Sequence, residues 1–109
     1  MKKIILLMVL IALTEVFVFA DRLYVRNGTG EYDFYEIYVS YGDASRWGND
    51  LLGTHVLGPG ETLEIDSPRP LNSVNLDFLI IDEDGDTYTL YDKRVRNGET
   101  VVITLDDLD

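Results

Sequence analysis

Apolar and polar positions alternate with a period of two along most of the chain that follows Ala20. Such alternation is typical of half-buried β-strands, and no helical repeat is sustained beyond that residue. The strands that the pattern predicts span residues 23–26, 31–41, 62–66, 74–83, 86–92 and 100–105. Six or seven short antiparallel strands in one domain predict an all-β fold, an immunoglobulin-like or C2-like β-sandwich, with a small β-barrel as the alternative.

The same alternation predicts which side chains of the longest strand face the core. Successive side chains of a strand point to opposite faces of its sheet, so every second residue belongs to one face. In the strand at residues 31–41, the face that we expect to be buried carries Tyr35, Ile37, Val39 and Tyr41.

A hairpin is predicted where two apolar runs flank Asp84-Gly85, a dipeptide suited to a two-residue type I′ turn. Counting outward from this turn pairs Ile81 with Tyr88 and Leu79 with Leu90. Apolar residues then meet on one face of the hairpin, which favours this register.

The first twenty residues have the three parts of a secretory signal peptide. Two lysines precede an apolar run over residues 4–13, and the small residue Ala20 stands before the first polar pair. Glu15 interrupts the apolar stretch well short of the roughly 20 residues that a transmembrane helix needs. We therefore expect a signal peptide at residues 1–20, one domain at residues 21–109, and a periplasmic or extracellular product.

Net charge narrows the choice of partners. Removal of residues 1–20 takes away two lysines and Glu15, which leaves 7 basic and 19 acidic residues and a net charge of −12. Nucleic-acid phosphates and anionic membrane surfaces repel so negative a domain, so we expect neither nucleic-acid binding nor membrane insertion after cleavage. Because the chain has no cysteine, disulfides cannot stabilise it, and packing, with or without a bound ion, must do so.

An acidic run at the predicted hairpin tip resembles the first half of a calcium-binding loop. Asp82, Asp84 and Asp86 stand at alternate positions, where such a loop places its first oxygen ligands. The later positions do not match, because Thr87 replaces the glycine and Lys93 replaces the bidentate glutamate of an EF-hand. Calcium is thus the one candidate cofactor, with these three aspartates as ligands; a solvated hairpin tip is the alternative, and we favour it.

The longest interruption of the strand pattern, residues 43–53, contains the only tryptophan. An exposed Trp47, with Tyr38 and Arg46 nearby, would provide a binding surface for a protein or a glycan, since tryptophan is enriched in interface hot spots. Alternatively, Trp47 covers the end of the sandwich while Leu51 and Leu52 point into its core. We favour the covering role as the first interpretation and keep the binding surface as the second.

Catalytic chemistry has little support in the sequence. His55 is the only histidine, and neither a Gly-x-Ser-x-Gly nucleophile motif nor a cysteine ligand for zinc accompanies it. We predict that the protein has no catalytic residues and is not an enzyme. A small hydrolase that uses His55 or a pair of acids is the remaining catalytic alternative.

The loop at residues 43–53 and the acidic hairpin tip together resemble a family of small exported bacterial β-sandwich domains of unknown function. The resemblance lies in a Ser-x-Trp-Gly-x-Asp-x-Leu-Gly loop at residues 45–53 and an Asp-x-Asp-Gly-Asp hairpin at residues 82–86. It implies a self-contained exported β-domain and assigns no catalytic or ligand residue. The function that we predict is a non-enzymatic binding or interaction module. The alternative is a structural or assembly component of the cell envelope that associates through strand edges.

Overall fold

A computed structural model describes residues 20–42 and 47–109 of the protein. Two predictions fall outside the described residues. These are the signal peptide, of which only Ala20 is described, and the binding residue Arg46.

Six strands form two three-stranded sheets, and the described chain is all-β. One sheet has the order β3-β1-β6 and the other β2-β4-β5, and neither closes into a barrel within the described residues. The predicted β-sandwich is therefore confirmed. The strands are β1 (Arg22–Asn27), β2 (Phe34–Tyr41), β3 (Thr62–Asp66), β4 (Val74–Asp82), β5 (Thr87–Val95) and β6 (Thr100–Ile103), followed by a short 3-10 helix at Leu105–Asp107.

One strand pair corrects the expectation that all strands are antiparallel. β6 lies beside β1 and runs parallel to it, with Val25 opposite Val101, whereas the other three pairs are antiparallel. The reason is that the chain leaves β5 in one sheet and enters the other sheet next to β1. A connection within one sheet would have returned β6 alongside its predecessor in the opposite direction.

Side chains from the facing sides of both sheets form one core. Tyr88 and Phe34 are its largest members, and their ring centroids lie 5.4 Å apart at an angle of 55°. The core residues of the strands are Leu23, Val25, Phe34, Ile37, Ile65, Leu76, Phe78, Ile80, Tyr88, Val95, Val101 and Ile103. Three residues between strands, Leu52, Leu57 and Leu71, are buried with them.

A bulge at the start of β2 changes one of the predicted core residues. The register of β2 against β4 shifts between Phe34 and Glu36. Phe34 is consequently buried and Tyr35 is 46% exposed, so the prediction was wrong for Tyr35. Beyond the bulge the face is as predicted, with Ile37 buried and two partly buried residues, Val39 and Tyr41, packed against the core.

The β4–β5 hairpin is shifted by one residue from its predicted register. Ile80 lies opposite Tyr88 and Phe78 opposite Leu90, and a three-residue loop at 83–85 replaces the two-residue turn. Gly85 has a φ of 80°, as expected for a glycine that ends such a loop. Leu79 and Ile81 consequently point away from the core.

Segments outside the strands cover parts of two sheet edges. Along β2, Phe34 and Leu57 exchange backbone hydrogen bonds of 2.9 and 3.0 Å. Along β5, Leu108 forms a bridge with Tyr88, and the backbone N–H of Asp109 donates to the Thr87 carbonyl at 2.9 Å. Covered edges are less available for pairing with another chain.

Candidate functional site

A groove beside Trp47 lies where the edges of the two sheets meet. Its volume is about 200 Å³, and Trp47 itself is partly exposed. β2 contributes Val39 and Tyr41 to the groove, and β3 contributes Ile65 and Asp66. The remaining side-chain wall comes from the segments next to these strands, with Trp47, Asn49, Leu51 and Pro68.

Asp50 holds the Trp47 side of the groove against the edge of β2. Its Oδ1 atom accepts hydrogen bonds from the backbone N–H groups of Ile37 and Leu52, at 2.9 and 3.0 Å. The Leu51 N–H also donates to the Ile37 carbonyl at 2.8 Å. Leu52 is thereby directed into the core, as predicted, whereas Leu51 is 41% exposed, so its predicted inward position was wrong.

Tyr41 forms a ridge between this groove and a second depression. Its hydroxyl lies 3.0 Å from the Ser67 hydroxyl oxygen, and the Arg69 guanidinium lies 5.7 Å from its ring centroid. Ser67 in turn donates to the Arg69 carbonyl at 2.6 Å. The second depression, of about 260 Å³, is lined by Tyr41, Arg69, Pro70, Val74, Asn75 and Leu76. The segment after β3 therefore fixes the aromatic ridge in place.

Tyr38 does not belong to the Trp47 groove. It lies on the opposite face of β2 from Val39 and Tyr41, which line that groove. Its hydroxyl donates a hydrogen bond to Glu36. That hydrogen bond, burial and the charges of Glu36 and Asp50 together raise the pKa of Tyr38 to about 12. The structure thus separates two of the predicted binding residues, while Arg46 is outside the described chain.

The three aspartates of the hairpin tip lie close together, but the carboxylate of one of them already accepts hydrogen bonds from the protein. Carboxylate oxygens of Asp82, Asp84 and Asp86 lie within 4.8 Å of one another. Asp82 is only 2% exposed. Its Oδ1 atom accepts from the backbone N–H groups of Asp84 and Asp86 at 2.9 and 3.0 Å, and its Oδ2 atom accepts from the Tyr88 hydroxyl at 2.8 Å. The Asp82 carboxylate therefore has a structural role in the hairpin loop, whereas Asp84 and Asp86 are exposed.

Asn27 is a buried polar residue whose importance the strand pattern did not indicate. Its side-chain amide donates to the Tyr32 and Leu57 carbonyls at 2.7 and 2.9 Å. Its Oδ1 atom accepts from the N–H and the hydroxyl of Thr29, at 3.1 and 2.8 Å. The only signal in the sequence was the run Asn27-Gly28-Thr29-Gly30, which is typical of a turn. The structure shows that this turn is anchored to the segment before β3.

His55 lies on the surface between Leu52 and β3. Its backbone N–H donates to the Leu52 carbonyl at 2.9 Å, and its side chain is exposed. Within residues 20–42 and 47–109, no hydrogen bond or ion pair joins its imidazole to another side chain. The geometry therefore offers no described partner that would orient His55 as a general base.

Within the described ranges, no helix is both long enough and apolar enough to cross a membrane. No family model, no curated protein and no solved structure matches the chain.

Proposed function

We propose that the protein is an exported, non-enzymatic binding module and that the Trp47 groove is its ligand site. The observation that carries this proposal is the partial exposure of Trp47 above a concave surface. A tryptophan whose only role was to fill the core would be as buried as the leucines beside it. Leu52 and Leu57, which are 3% and 6% exposed, already fill that end of the core. The indole is thus left available to a ligand.

The chemistry of the groove suits a neutral carbohydrate. Trp47 and Tyr41 provide aromatic rings, against which the apolar face of a sugar packs, and Asn49 and Asp66 provide polar groups for its hydroxyls. The net charge of −11 for the whole chain disfavours an anionic ligand. A protein partner that inserts an apolar side chain is the competing occupant.

The contacts of Asp21, the first residue after the proposed cleavage site, are compatible with export. The Asp21 carbonyl accepts from the Ser67 N–H at 2.8 Å, and its Oδ2 atom accepts from the Leu71 N–H at 2.7 Å. Ala20 is exposed and precedes these contacts. The proposed cleavage after Ala20 would therefore leave every described strand and both Asp21 contacts in place.

The test uses the single tryptophan of the chain as its reporter. Titration with neutral β-linked oligosaccharides is expected to shift the emission of Trp47 and to protect it from acrylamide quenching. By calorimetry, Trp47→Ala should lose this binding while its circular dichroism stays that of the wild type. Tyr91→Ala, which removes an aromatic residue that is 71% exposed on β5, is the matched control and should bind normally.

Two results would contradict the proposal. If no neutral oligosaccharide changes the emission of Trp47, the ligand class is wrong. If Trp47→Ala unfolds the domain, Trp47 is a structural cover of the sandwich and not a ligand-binding residue.

Strand-edge assembly through the β2-β4-β5 sheet, the alternative function, has weaker support. The edge of β2 is covered at Phe34 and Ile37, and the start of β5 is covered by Leu108 and Asp109. The rest of β5 carries a bulge at Asp92, where φ is 54°, and two cations, Lys93 and Arg94. Bulges and charges of this kind discourage pairing with another strand. Sedimentation at several concentrations tests this alternative, which requires self-association.

A further inference from the structure

The central strand of one sheet is apolar on both of its faces over residues 78–81. Phe78 and Ile80 of β4 are completely buried and point into the core, while Leu79 and Ile81 point outward and are only partly covered. A sheet with one face in water normally alternates apolar and polar residues, and a continuous apolar run is typical of strands covered on both sides. The sequence of β4 therefore suggests that something covers the outer face of this sheet.

The strand register extends the apolar surface onto β2. Tyr38 lies opposite Leu79, and Glu36 lies opposite Ile81. On the other side of β4, Thr89 is the partner of Leu79. We use the name outer strip for the surface formed by Tyr38, Leu79 and Ile81.

Acidic groups surround the outer strip. Glu36 accepts the Tyr38 hydroxyl hydrogen bond, and Asp77 lies two residues before Leu79 on the same face of β4. On the β5 side, the Asp109 carboxylate accepts from the hydroxyls of Thr87 and Thr89 at 2.7 and 2.6 Å. None of the described residues on the strip or in this surrounding ring is basic. The surface thus combines an apolar centre with three acidic groups at its border, and Arg94, opposite Asn75 on the same face, lies beyond Asp77.

We propose that the outer strip docks a basic, amphipathic peptide segment of a partner protein. Apolar side chains of that segment would pack on Tyr38, Leu79 and Ile81, and its lysines or arginines would meet Glu36 and Asp77. Apolar contact provides most of the affinity, and charge complementarity accelerates the encounter and selects the partner. A nucleic acid or an anionic lipid would be repelled by the same border. This surface is distinct from the Trp47 groove, so its failure would leave the proposed function untouched.

The experiment measures binding of a fluorescein-labelled, end-capped heptapeptide of alternating lysine and leucine to the full chain by anisotropy. Leu79→Ser is expected to weaken binding at least tenfold. The matched control Val102→Ser, which changes a residue that is 46% exposed on β6, should leave the affinity unchanged. Glu36→Gln, which leaves the apolar residues in place, should weaken binding by a smaller factor and reduce its dependence on NaCl. Trp47→Ala should bind the peptide normally.

A second peptide, in which serine replaces each leucine, separates docking from general attraction to an acidic protein. It is expected to bind at least tenfold more weakly than the lysine–leucine peptide. Equal affinity for the two peptides would overturn the proposal, as would unchanged affinity in folded Leu79→Ser. If Leu79→Ser does not fold, the Glu36→Gln result decides: an affinity and salt dependence equal to those of the wild type overturn the proposal.

Discussion

At the scale of single residues, two buried polar side chains hold turns that the sequence marks only as polar. Asn27 joins the turn after β1 to Leu57. The Asp82 carboxylate accepts hydrogen bonds from the hairpin loop and from the Tyr88 hydroxyl. The sequence identified Asp82 as acidic and placed Asn27 in a run of turn residues. Burial of either side chain depends on which strands lie beside it, so local sequence could not predict it.

Asp82 offers a matched pair of substitutions. Asp82→Ala leaves two part-buried backbone N–H groups and the buried Tyr88 hydroxyl without their acceptor. We expect it to lower the free energy of unfolding by roughly 2–4 kcal/mol. Asp82→Asn keeps the Oδ1 acceptor for both N–H groups and should lose less than about 1.5 kcal/mol. Urea unfolding of the two variants beside the wild type measures both values.

Calcium would have to bind through the same three aspartates. Because three hydrogen bonds already occupy the Asp82 carboxylate, we expect millimolar calcium to leave the unfolding midpoint of the wild type unchanged. A rise of the midpoint that disappears in Asp84→Asn or Asp86→Asn would instead show that the cluster binds the ion.

At the scale of elements, Asp50 attaches the segment after Trp47 to the edge of β2. Asp50→Ala removes the acceptor of the Ile37 and Leu52 N–H groups. We expect a loss of about 1–3 kcal/mol, together with faster hydrogen exchange at those two amides. Asp50→Asn retains the Oδ1 atom and is the control that should remain close to the wild type. Equal exchange at Ile37 in both variants would show that Asp50 does not hold the edge.

The positions of the strands were predictable, but their registers were not. Alternation located all six strands, because burial on one face of a sheet imposes a period of two. The bulge after Phe34 and the three-residue loop before Asp86 each shift the pairing by one residue, and such a shift exchanges the two faces of a strand. The alternation of apolar and polar residues in the sequence looks the same whether or not such a shift occurs, so it cannot reveal the shift. Leu79 and Ile81 were therefore predicted to share a face with Leu90 and Tyr88, although Phe78 and Ile80 are the residues that lie opposite them.

At the scale of the whole molecule, composition predicted an acidic, disulfide-free protein and alternation predicted a sandwich, but neither predicted its connectivity. The parallel pairing of β6 with β1 depends on the chain changing sheets after Val95. The turn residues in that connection are compatible both with a return to the same sheet and with a crossing to the other. The groove beside Trp47 likewise needs both sheets in place, since its walls come from β2 and β3. The sequence indicated Trp47 as a candidate, whereas only the tertiary structure brings Tyr41, Ile65 and Pro68 next to it.

Two tyrosines with raised pKa values also make the stability of the molecule sensitive to alkaline pH. Burial, the hydrogen bond to Asp82 and the charges of Asp82 and Asp86 raise the pKa of Tyr88 well above its ordinary value of 10. The hydrogen bond to Glu36 similarly raises the pKa of Tyr38. Above pH 10 the unfolded chain loses protons that the folded chain keeps. Stability is therefore fully present below pH 10 and falls as the pH rises toward the raised pKa values.

Urea unfolding at intervals between pH 9 and pH 12 tests this dependence. The free energy of unfolding of the wild type should fall above pH 10, with Tyr88 alone contributing up to about 1.4 kcal/mol per pH unit. Tyr88→Phe is expected to be less stable at pH 8, because Asp82 loses a hydrogen bond, but to have a shallower alkaline slope. Tyr91→Phe, the exposed control, should keep the slope of the wild type. An alkaline slope in Tyr88→Phe as steep as that of the wild type would mean that repulsion spread over the whole acidic surface, and not this buried pair, causes the loss.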